Sequence, residues 1–175
     1  MIKVPDESLL SSLNIPGTHN AGALHEPFPR TAKCQTLTLA EQLESGVRFF
    51  DIRCCHQNDS FSIYHGPVSQ KLTFESVLNT MTIFLKKNPS EFVILSVKEE
   101  HRSNSTTRSF AATVRSYIKK EPLSWYTKQG IPRLADVRGK LVLLRRFPSA
   151  RQLDIPATDW GHNGLHIGKN IFCRM

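Results

Sequence analysis

The sequence predicts an α/β fold in which strand–helix units build a parallel sheet. Strand and helix signals alternate along the 175 residues, a pattern typical of strands joined by crossover helices. Polar residues end several apolar strands, and α/β proteins bind ligands at that end of the sheet. The length and a hydrophobic content of 39% suit one domain, residues 1–175, with its own core.

The first elements have clear local signals. A first strand is expected near residues 13–15. Thr38 and Glu41 form a capping box and Gly46 is a typical stop, so residues 39–45 are predicted to be a short helix.

Residues 47–53 follow as a strand whose side chains alternate between two faces. The period of two places Asp51 and Arg53 on the same face as Val47 and Phe49. A carboxylate and a guanidinium therefore lie at the carboxyl end of a face that begins apolar. Burying charge there is costly without a purpose, which favours a functional interpretation over a simple ion pair.

The second half of the chain continues the alternation. Thr73 caps an amphipathic helix whose apolar residues recur at spacings of three and four, and Asn88-Pro89 ends it. Besides this helix, which begins at residue 74, we predict strands at 61–65, 92–97 and 141–146, a helix at 105–120 and a turn-rich connection at 130–139.

Composition narrows the partners. The net charge of +8 and a pI near 9.6 favour acidic membrane surfaces, phosphorylated substrates or nucleic acid. No apolar run of about 18 residues occurs and the N-terminus lacks an apolar signal region, so we expect neither a membrane span nor a leader.

The cysteines follow neither a zinc spacing nor a disulfide framework, and we interpret them as buried free thiols. The compartment stays open, with a weak lean toward a reducing one.

Two histidines, an arginine and a carboxylate form the candidate site. His19 and His65 suit a general base and a general acid, because an unperturbed imidazole titrates near neutral pH. Arg53 offers a planar fork for a phosphate, and Asp51 offers a carboxylate that can hold an imidazole in one tautomer. These are the parts needed to cleave a phosphodiester without metal.

These segments resemble, in order, the catalytic X region of bacterial-type phosphatidylinositol-specific phospholipase C. They read Ile-Pro-Gly-Thr-His at 15–19, Asp-Ile-Arg at 51–53 and His-Gly at 65–66, with weaker matches at 95–98 and 138–147. The resemblance runs from about residue 9 to residue 163 and implies a TIM-barrel-like (β/α) fold. A closed barrel has eight strands and about five are visible here, so we expect an incomplete barrel, truncated at its C-terminus, with weak or no activity on its own.

The resemblance also implies a division of catalytic roles. His19 is then the base that takes the proton of the inositol 2-hydroxyl, whose oxygen attacks the neighbouring phosphorus. The products are diacylglycerol and a cyclic inositol phosphate. His65 is then the acid that protonates the departing glycerol oxygen, and Asp51 is hydrogen-bonded to His65.

Arg53 distinguishes this sequence from the calcium-dependent relatives, which place an acidic metal ligand at that position. An arginine cannot bind Ca²⁺, but it can neutralise phosphorane oxygens, so neither a metal nor another cofactor is expected. Asn20 stands where bacterial-type enzymes usually have aspartate; we count it with the substrate-binding residues and expect its neutral side chain to weaken the acid. Lys98 and Arg146, with Arg145 the alternative by strand parity, match positions that touch inositol hydroxyls.

The leading interpretation is a phosphodiester-cleaving enzyme acting on phosphatidylinositol or on a glycosylated phosphatidylinositol anchor. Its partners are then a phospholipid and a peripheral membrane surface, and no nucleic acid. The alternative is a weak or inactive module of the same fold that binds anionic lipid head groups. A glycerophosphodiesterase or sphingomyelinase-D-like barrel is disfavoured, because those enzymes use acidic metal ligands and Arg53 is not one. Which of the two lipids is the substrate stays open.

Overall fold

The computed structural model describes residues 1–150 and 154–160, in which eight strands form one sheet flanked by helices. The strands are β1 (Gly17–Thr18), β2 (Phe49–Gln57), β3 (Ser60–His65), β4 (Val68–Thr73), β5 (Val93–Asn104), β6 (Trp125–Tyr126), β7 (Leu141–Arg146) and β8 (Ile155–Pro156). The helices are α1 (Leu39–Glu44), α2 (Phe74–Lys87), α3 (Phe110–Lys120) and α4 (Leu134–Val137), with 3₁₀ turns at Leu10–Ser12 and Pro122–Ser124. None of the described helices is long and apolar enough to cross a membrane.

Parallel pairing dominates the sheet, as the alternating pattern predicts. β1 pairs with β2, β2 with β5, β5 with β7, and β7 with both β6 and β8, all in parallel. The predicted α/β class is therefore confirmed. Within the described residues β1 and β8 do not pair with each other, so the sheet is not closed into a barrel.

The hairpin of β3 and β4 corrects the prediction that all strands are parallel. β3 runs antiparallel to β2, and β4 runs antiparallel to β3. Asn58 and Asp59 alone link β2 to β3, and both have positive φ, 48° and 55°, so the chain turns straight back. A parallel connection needs about a dozen residues or more. Strand β4, absent from the prediction, follows because the hairpin continues after the turn at Gly66.

The first strand also lies elsewhere than predicted. It forms at Gly17–Thr18 rather than at residues 13–15, because these two residues find hydrogen-bonding partners in β2. Gly17 allows this close approach: a Cβ there would lie 3.0 Å from the ring of Phe49.

Later boundaries shift for related reasons. β2 continues to Gln57, which gives β5 a partner as far as Asn104, well beyond the predicted end at 97. The helix predicted at 105–120 therefore starts only at Phe110, with Ser109 as its N-cap. The predicted connection at 130–139 contains α4, and β6 and β8 are also new. These three elements have four residues or fewer, too short for a period to identify.

The predicted helix signals are confirmed in α1 and α2. The side chain of Thr38 accepts from the backbone N–H of Glu41 in a full capping box. The side chain of Thr73 caps α2 by accepting from the backbone N–H of Ser76. Each such cap stabilises a helix by roughly 1 kcal/mol. The apolar face of α2 packs on the sheet, and each side chain buried there contributes about 1.5–3 kcal/mol; its buried residues are Phe74, Val77, Met81, Phe84 and Leu85.

Two apolar clusters lie on opposite faces of the sheet. The outer cluster joins alternate residues of β2, β5 and β7 to helices α1, α2 and α3. The inner cluster joins the other alternate residues to α4 and the first 3₁₀ turn; it includes Leu10, Phe92, Ile94, Leu134, Val137, Val142 and Leu144. Because this inner cluster fills the space near the amino ends of the strands, charged residues collect at their carboxyl ends.

Three cations form a row across those carboxyl ends. Arg53 on β2 is in register with Lys98 on β5, and Lys98 is in register with Arg146 on β7. One row nearer the amino ends, Asp51 is in register with Ser96. The period of two therefore places these side chains on the inner face, as predicted for Asp51, Arg53, Lys98 and Arg146.

A buried histidine makes the stability of the fold depend on pH. His56 is 1% exposed, and its Nε2 lies 2.8 Å from Thr113 Oγ1 among the rings of Phe61 and Phe110. Burial lowers the pKa of His56. The unfolded chain consequently binds a proton at this histidine more readily than the folded chain does. The contribution of His56 to the free energy of unfolding is therefore fully present above pH 6.5, and it is lost as the pH falls through the folded pKa.

We expect His56→Phe, which keeps an aromatic ring in this cluster, to flatten the pH dependence of stability between about pH 7 and pH 5. Urea unfolding at several pH values measures it. The second partner of Thr113, Arg108, remains in the variant. If the free energy of unfolding changes with pH equally in the two proteins, protonation of His56 is not coupled to folding.

Candidate active site

His19 stands at the mouth of the site, directly after β1. Its side chain is 68% exposed, and its Nδ1 lies 3.2 Å from Asp51 Oδ2. The terminal Nη2 of Arg53 lies 3.4 Å from both ring nitrogens, so the guanidinium sits against the imidazole. Partial burial and the Arg53 charge lower the pKa of His19, and these effects outweigh the Asp51 carboxylate. His19 is therefore neutral near pH 7 and able to accept a proton.

Asp51 is the buried hub beneath His19. Its Oδ2 accepts hydrogen bonds from Arg53 Nε at 3.0 Å and from the backbone N–H of Asn20 at 3.1 Å. Its Oδ1 accepts from Arg146 Nη1 at 3.3 Å. One carboxylate on β2 thus ties together the residue after β1, Arg53 on β2 and the end of β7.

Glu100, which the sequence analysis did not identify, holds the other side of Arg53. Both carboxylate oxygens accept from Arg53 Nη1, at 3.0 and 3.2 Å, and the group also accepts from Gly66 N and Lys98 Nζ. Burial acts to raise the pKa of Glu100, but the Gly66 N–H and the Arg53 guanidinium outweigh it and lower that pKa. Burial acts to lower the pKa of Arg53, but Asp51 and Glu100 raise it. Both groups stay charged.

The charges of this network do not cancel. Arg53, Lys98 and Arg146 carry three positive charges, and Asp51 and Glu100 carry two negative ones, which leaves one net positive charge among these five residues. A phosphodiester carries one negative charge. The site is therefore matched in charge to one phosphodiester group.

His65 reaches the site from the end of the β3 strand. Its Nδ1 lies 2.8 Å from the carbonyl oxygen of Ala32, so Nδ1–H donates to that carbonyl and Nε2 is left to exchange a proton. His65 lies near His19, because a short chain of contacts through Cys34 and Asn20 joins the two rings. The expected hydrogen bond from Asp51 to His65 is not formed: Asp51 contacts His19 instead, and the rim loop (residues 25–35) supplies the partner of His65.

The two cations of β5 and β7 lie in the same network. Arg146 faces the site, and its guanidinium carbon lies 4.7 Å from the ring centre of Trp160. Arg145, the alternative by parity, points to the other face and pairs with buried Asp154 at 2.8 Å. Lys98 contacts Glu100 at 3.3 Å. Arg146 is thus the residue of the pair that the structure brings to the site.

The side chain of Asn20 is buried, whereas that of Lys98 is partly exposed. Asn20 adopts a positive φ of 47°, and its Nδ2 lies 3.1 Å from His19 Nε2. In the described part of the chain, no group of three or more His, Cys, Asp or Glu side chains is arranged to hold a metal ion. The end of the sequence resemblance, residues 161–163, lies outside the described residues.

Extending the predicted strand at 92–97 by three residues would have included Glu100. The period of two from Lys98 places Glu100 on the same face, but the apolar run stops at Val97. The contact of the rim loop with His65 has no such local signal, since 33 residues separate Ala32 from His65.

Solved structures place this fold among the TIM-barrel-like phospholipases C of bacteria. A mutant of the phosphatidylinositol-specific phospholipase C of Staphylococcus aureus matches with a TM-score of 0.80 and 30% identity, over 87% of this chain and 54% of that one. The enzyme of Listeria monocytogenes matches with a TM-score of 0.72 and 37% identity, over 82% of this chain and 54% of that one.

The family model of the phosphatidylinositol-specific phospholipase C X domain matches residues 13–147, and the chain belongs to this family. The 1-phosphatidylinositol phosphodiesterase of L. monocytogenes is 37% identical over 172 residues, which cover 92% of this chain and 52% of the relative. That of S. aureus strain Newman is 31% identical over 177 residues, covering 93% and 57%. The chain thus spans about half the length of these curated relatives.

Proposed function

We propose that this chain binds the phosphodiester of phosphatidylinositol, or of its glycosylated anchor form, and cleaves it to diacylglycerol and a cyclic inositol phosphate. The observation that carries the proposal is the exposed imidazole of His19, which contacts Asp51 above a buried network with one net positive charge. The relatives named as 1-phosphatidylinositol phosphodiesterases support the same substrate.

His19 acts as the general base in this proposal. Its Nε2 faces away from the Asp51 contact and takes the proton of the inositol 2-hydroxyl, while the Asp51 carboxylate stabilises the imidazolium that forms. The freed oxygen attacks phosphorus within the same molecule, so the protein's task is to position the substrate and move protons. The contact of Asn20 Nδ2 with Nε2 is exchanged for the substrate hydroxyl.

Arg53 stabilises the charge that develops on phosphorus. Asp51 and Glu100 hold its Nε and Nη1 from two sides, which aims Nη2 at the space beside His19. A guanidinium fixed in this way stabilises a phosphorane without reorganising during the reaction. His65 then donates the Nε2 proton to the glycerol oxygen as the ester bond breaks. His19 afterwards releases to solvent the proton it took, and His65 takes one up, which restores both histidines for the next turnover.

The decisive test uses vesicles of phosphatidylinositol and follows the phosphorus products. We expect cyclic inositol phosphate to appear with diacylglycerol. Phosphatidate with free inositol would place bond cleavage on the other side of phosphorus and refute the proposal. Binding of the vesicles without any product would instead favour the head-group-binding alternative, for which one observation speaks: a backbone carbonyl, rather than a carboxylate, holds His65.

The proposed reaction needs no metal, because Arg53 supplies the positive charge beside the phosphate. We therefore expect turnover to stay within about twofold of its original value after dialysis against EDTA, since a guanidinium cannot be chelated. Loss of activity that is restored by Ca²⁺ would reverse this assignment and make Asn20 a candidate ligand.

The rim loop is the part of the chain that we propose to meet the lipid surface. Phe28 is 70% exposed at its tip between Pro27 and Pro29, and the exposed cations Arg30 and Lys33 follow it. An aromatic side chain flanked by cations suits an interface of anionic lipid head groups and acyl chains. The same loop carries Ala32, which bonds His65, so lipid contact and the site are adjacent.

We expect Phe28→Ser to lower binding to anionic vesicles by roughly tenfold, since burying one Phe side chain contributes about 1.5–3 kcal/mol. Leu123→Ser is the matched control. Leu123 is 91% exposed, but it precedes β6, which pairs with the first residues of β7 at the opposite end of the sheet. Co-sedimentation with vesicles measures both variants. Equal loss in the two variants would refute the role of the loop.

A further inference from the structure

Cys34 occupies the space between the two candidate proton-transfer histidines. It is an exposed free thiol in the rim loop, so the prediction that the cysteines are buried is wrong for Cys34. Its Sγ lies 3.6 Å from His65 Nδ1 and 3.6 Å from Asn20 Nδ2, and that amide lies 3.1 Å from His19 Nε2. The thiol is thus one contact from His65 and two contacts from His19.

A second observation concerns the residue that links Cys34 to His19. Asn20 is 3% exposed, and its Nδ2 contacts both Cys34 Sγ and His19 Nε2. Its Oδ1 has no hydrogen-bond partner among the described residues. A buried polar oxygen without a partner is costly, so it indicates a place where a ligand, a solvent molecule or a bound group supplies the missing donor.

The backbone holds Cys34 in this position. Its N–H donates to the carbonyl oxygen of Ala23 at 2.9 Å, and the side chain of Gln35 donates to the carbonyl of His19 at 2.7 Å. Cys54 and Cys55 are buried, and burial raises the pKa of both thiols. Of the three cysteines that the structure describes, Cys34 is therefore the one open to reagents from solution.

We propose that Cys34 is a modification site. A small-molecule disulfide that reacts there reversibly blocks the space between His19 and His65. The Cys34 thiolate attacks one sulfur of the disulfide, a new sulfur–sulfur bond to Cys34 forms, and the other half leaves as a thiolate. A dithiol reductant reverses the exchange. The effect on turnover rests on the proposed function, because the adduct then fills the space between His19 and His65 that the phosphodiester must enter.

The first experiment tests the site without using turnover. The full chain carrying Cys173→Ser, which removes the cysteine outside the described residues, is treated with an aromatic disulfide that releases a coloured thiolate. We expect one fast-reacting thiol, absent when Cys34→Ser is added. Histidine ring signals in NMR spectra are expected to shift for His65 and His19 after modification, and to stay unchanged for His56, which lies on the other face of the sheet.

The control carries an exposed thiol at the far end of the sheet. Leu123→Cys in the Cys34→Ser, Cys173→Ser background is modified with the same reagent and is expected to leave the His19 and His65 signals in place. The proposal would be overturned if Cys34 did not react, or if its modification left the NMR signals of His19 and His65 unchanged. Either result would count even if the chain is an active enzyme.

Turnover of phosphatidylinositol then tests the closure itself. We expect modification of Cys34 to lower turnover more than about tenfold and a dithiol to restore it, while the Cys34→Ser protein shows the same rate with and without reagent. Full turnover of the modified chain would overturn the proposal. If the unmodified chain shows no turnover, the proposed function fails by itself, and the NMR signals still decide whether Cys34 is a modification site beside the two histidines.

Discussion

Alanine at His19 is expected to lower the turnover of phosphatidylinositol by about 10²–10⁴-fold, which is the usual contribution of a positioned proton-transfer group. The same loss is expected for His65→Ala. His101→Ala is the matched control, since that exposed ring stacks on Tyr64 and contacts neither Asp51 nor Arg53 in the described structure. Rates on phosphatidylinositol vesicles measure all three variants.

The substrate's leaving group separates the two histidine roles. An inositol phosphodiester with a nitrophenolate leaving group needs no general acid, because nitrophenolate departs without protonation. We therefore expect His65→Ala to recover most of its loss on this substrate, whereas His19→Ala stays impaired because the attacking hydroxyl must still lose its proton. Recovery by His19→Ala, with none by His65→Ala, would exchange the two roles.

Lysine at Arg53 is expected to lower turnover by about 10²–10³-fold although it preserves the charge, a loss typical for removal of one preorganised donor. An ammonium on a flexible stem cannot contact Asp51, Glu100 and a phosphate at once, whereas the planar fork can. Arg102→Lys, on the exposed extension of β5, is the control with the same chemical change.

Glu100→Gln tests whether turnover depends on the orientation of the Arg53 guanidinium as well as on its charge. If Glu100 acts by holding Arg53, its replacement lowers kcat, and adding Arg53→Lys costs little more, because neighbours in one network are not additive. A urea midpoint for each variant separates this effect from loss of the fold.

Turnover of Arg53→Lys within about twofold of the original would remove Arg53 from the proposed mechanism.

The local pattern of the sequence was enough to place several charged strand residues on the face that carries the site. Side chains alternate along a strand, so the period of two assigns Asp51, Arg53 and Lys98 to one face. Parallel strands with crossover helices bring their carboxyl ends to one edge, which is why residues from three distant strands converge. Both signals are local, and neither depends on knowing which side chains contact each other in the folded chain.

Only the tertiary structure decided how these residues pair. A two-residue turn makes β3 antiparallel to β2, and the lengthened β5 places Glu100 against Arg53. Asp51 lies beneath His19, while the rim loop supplies the carbonyl that holds His65 and the thiol of Cys34 beside it. Such contacts join residues more than 30 positions apart, and their geometry follows from packing the whole chain, which no local period records.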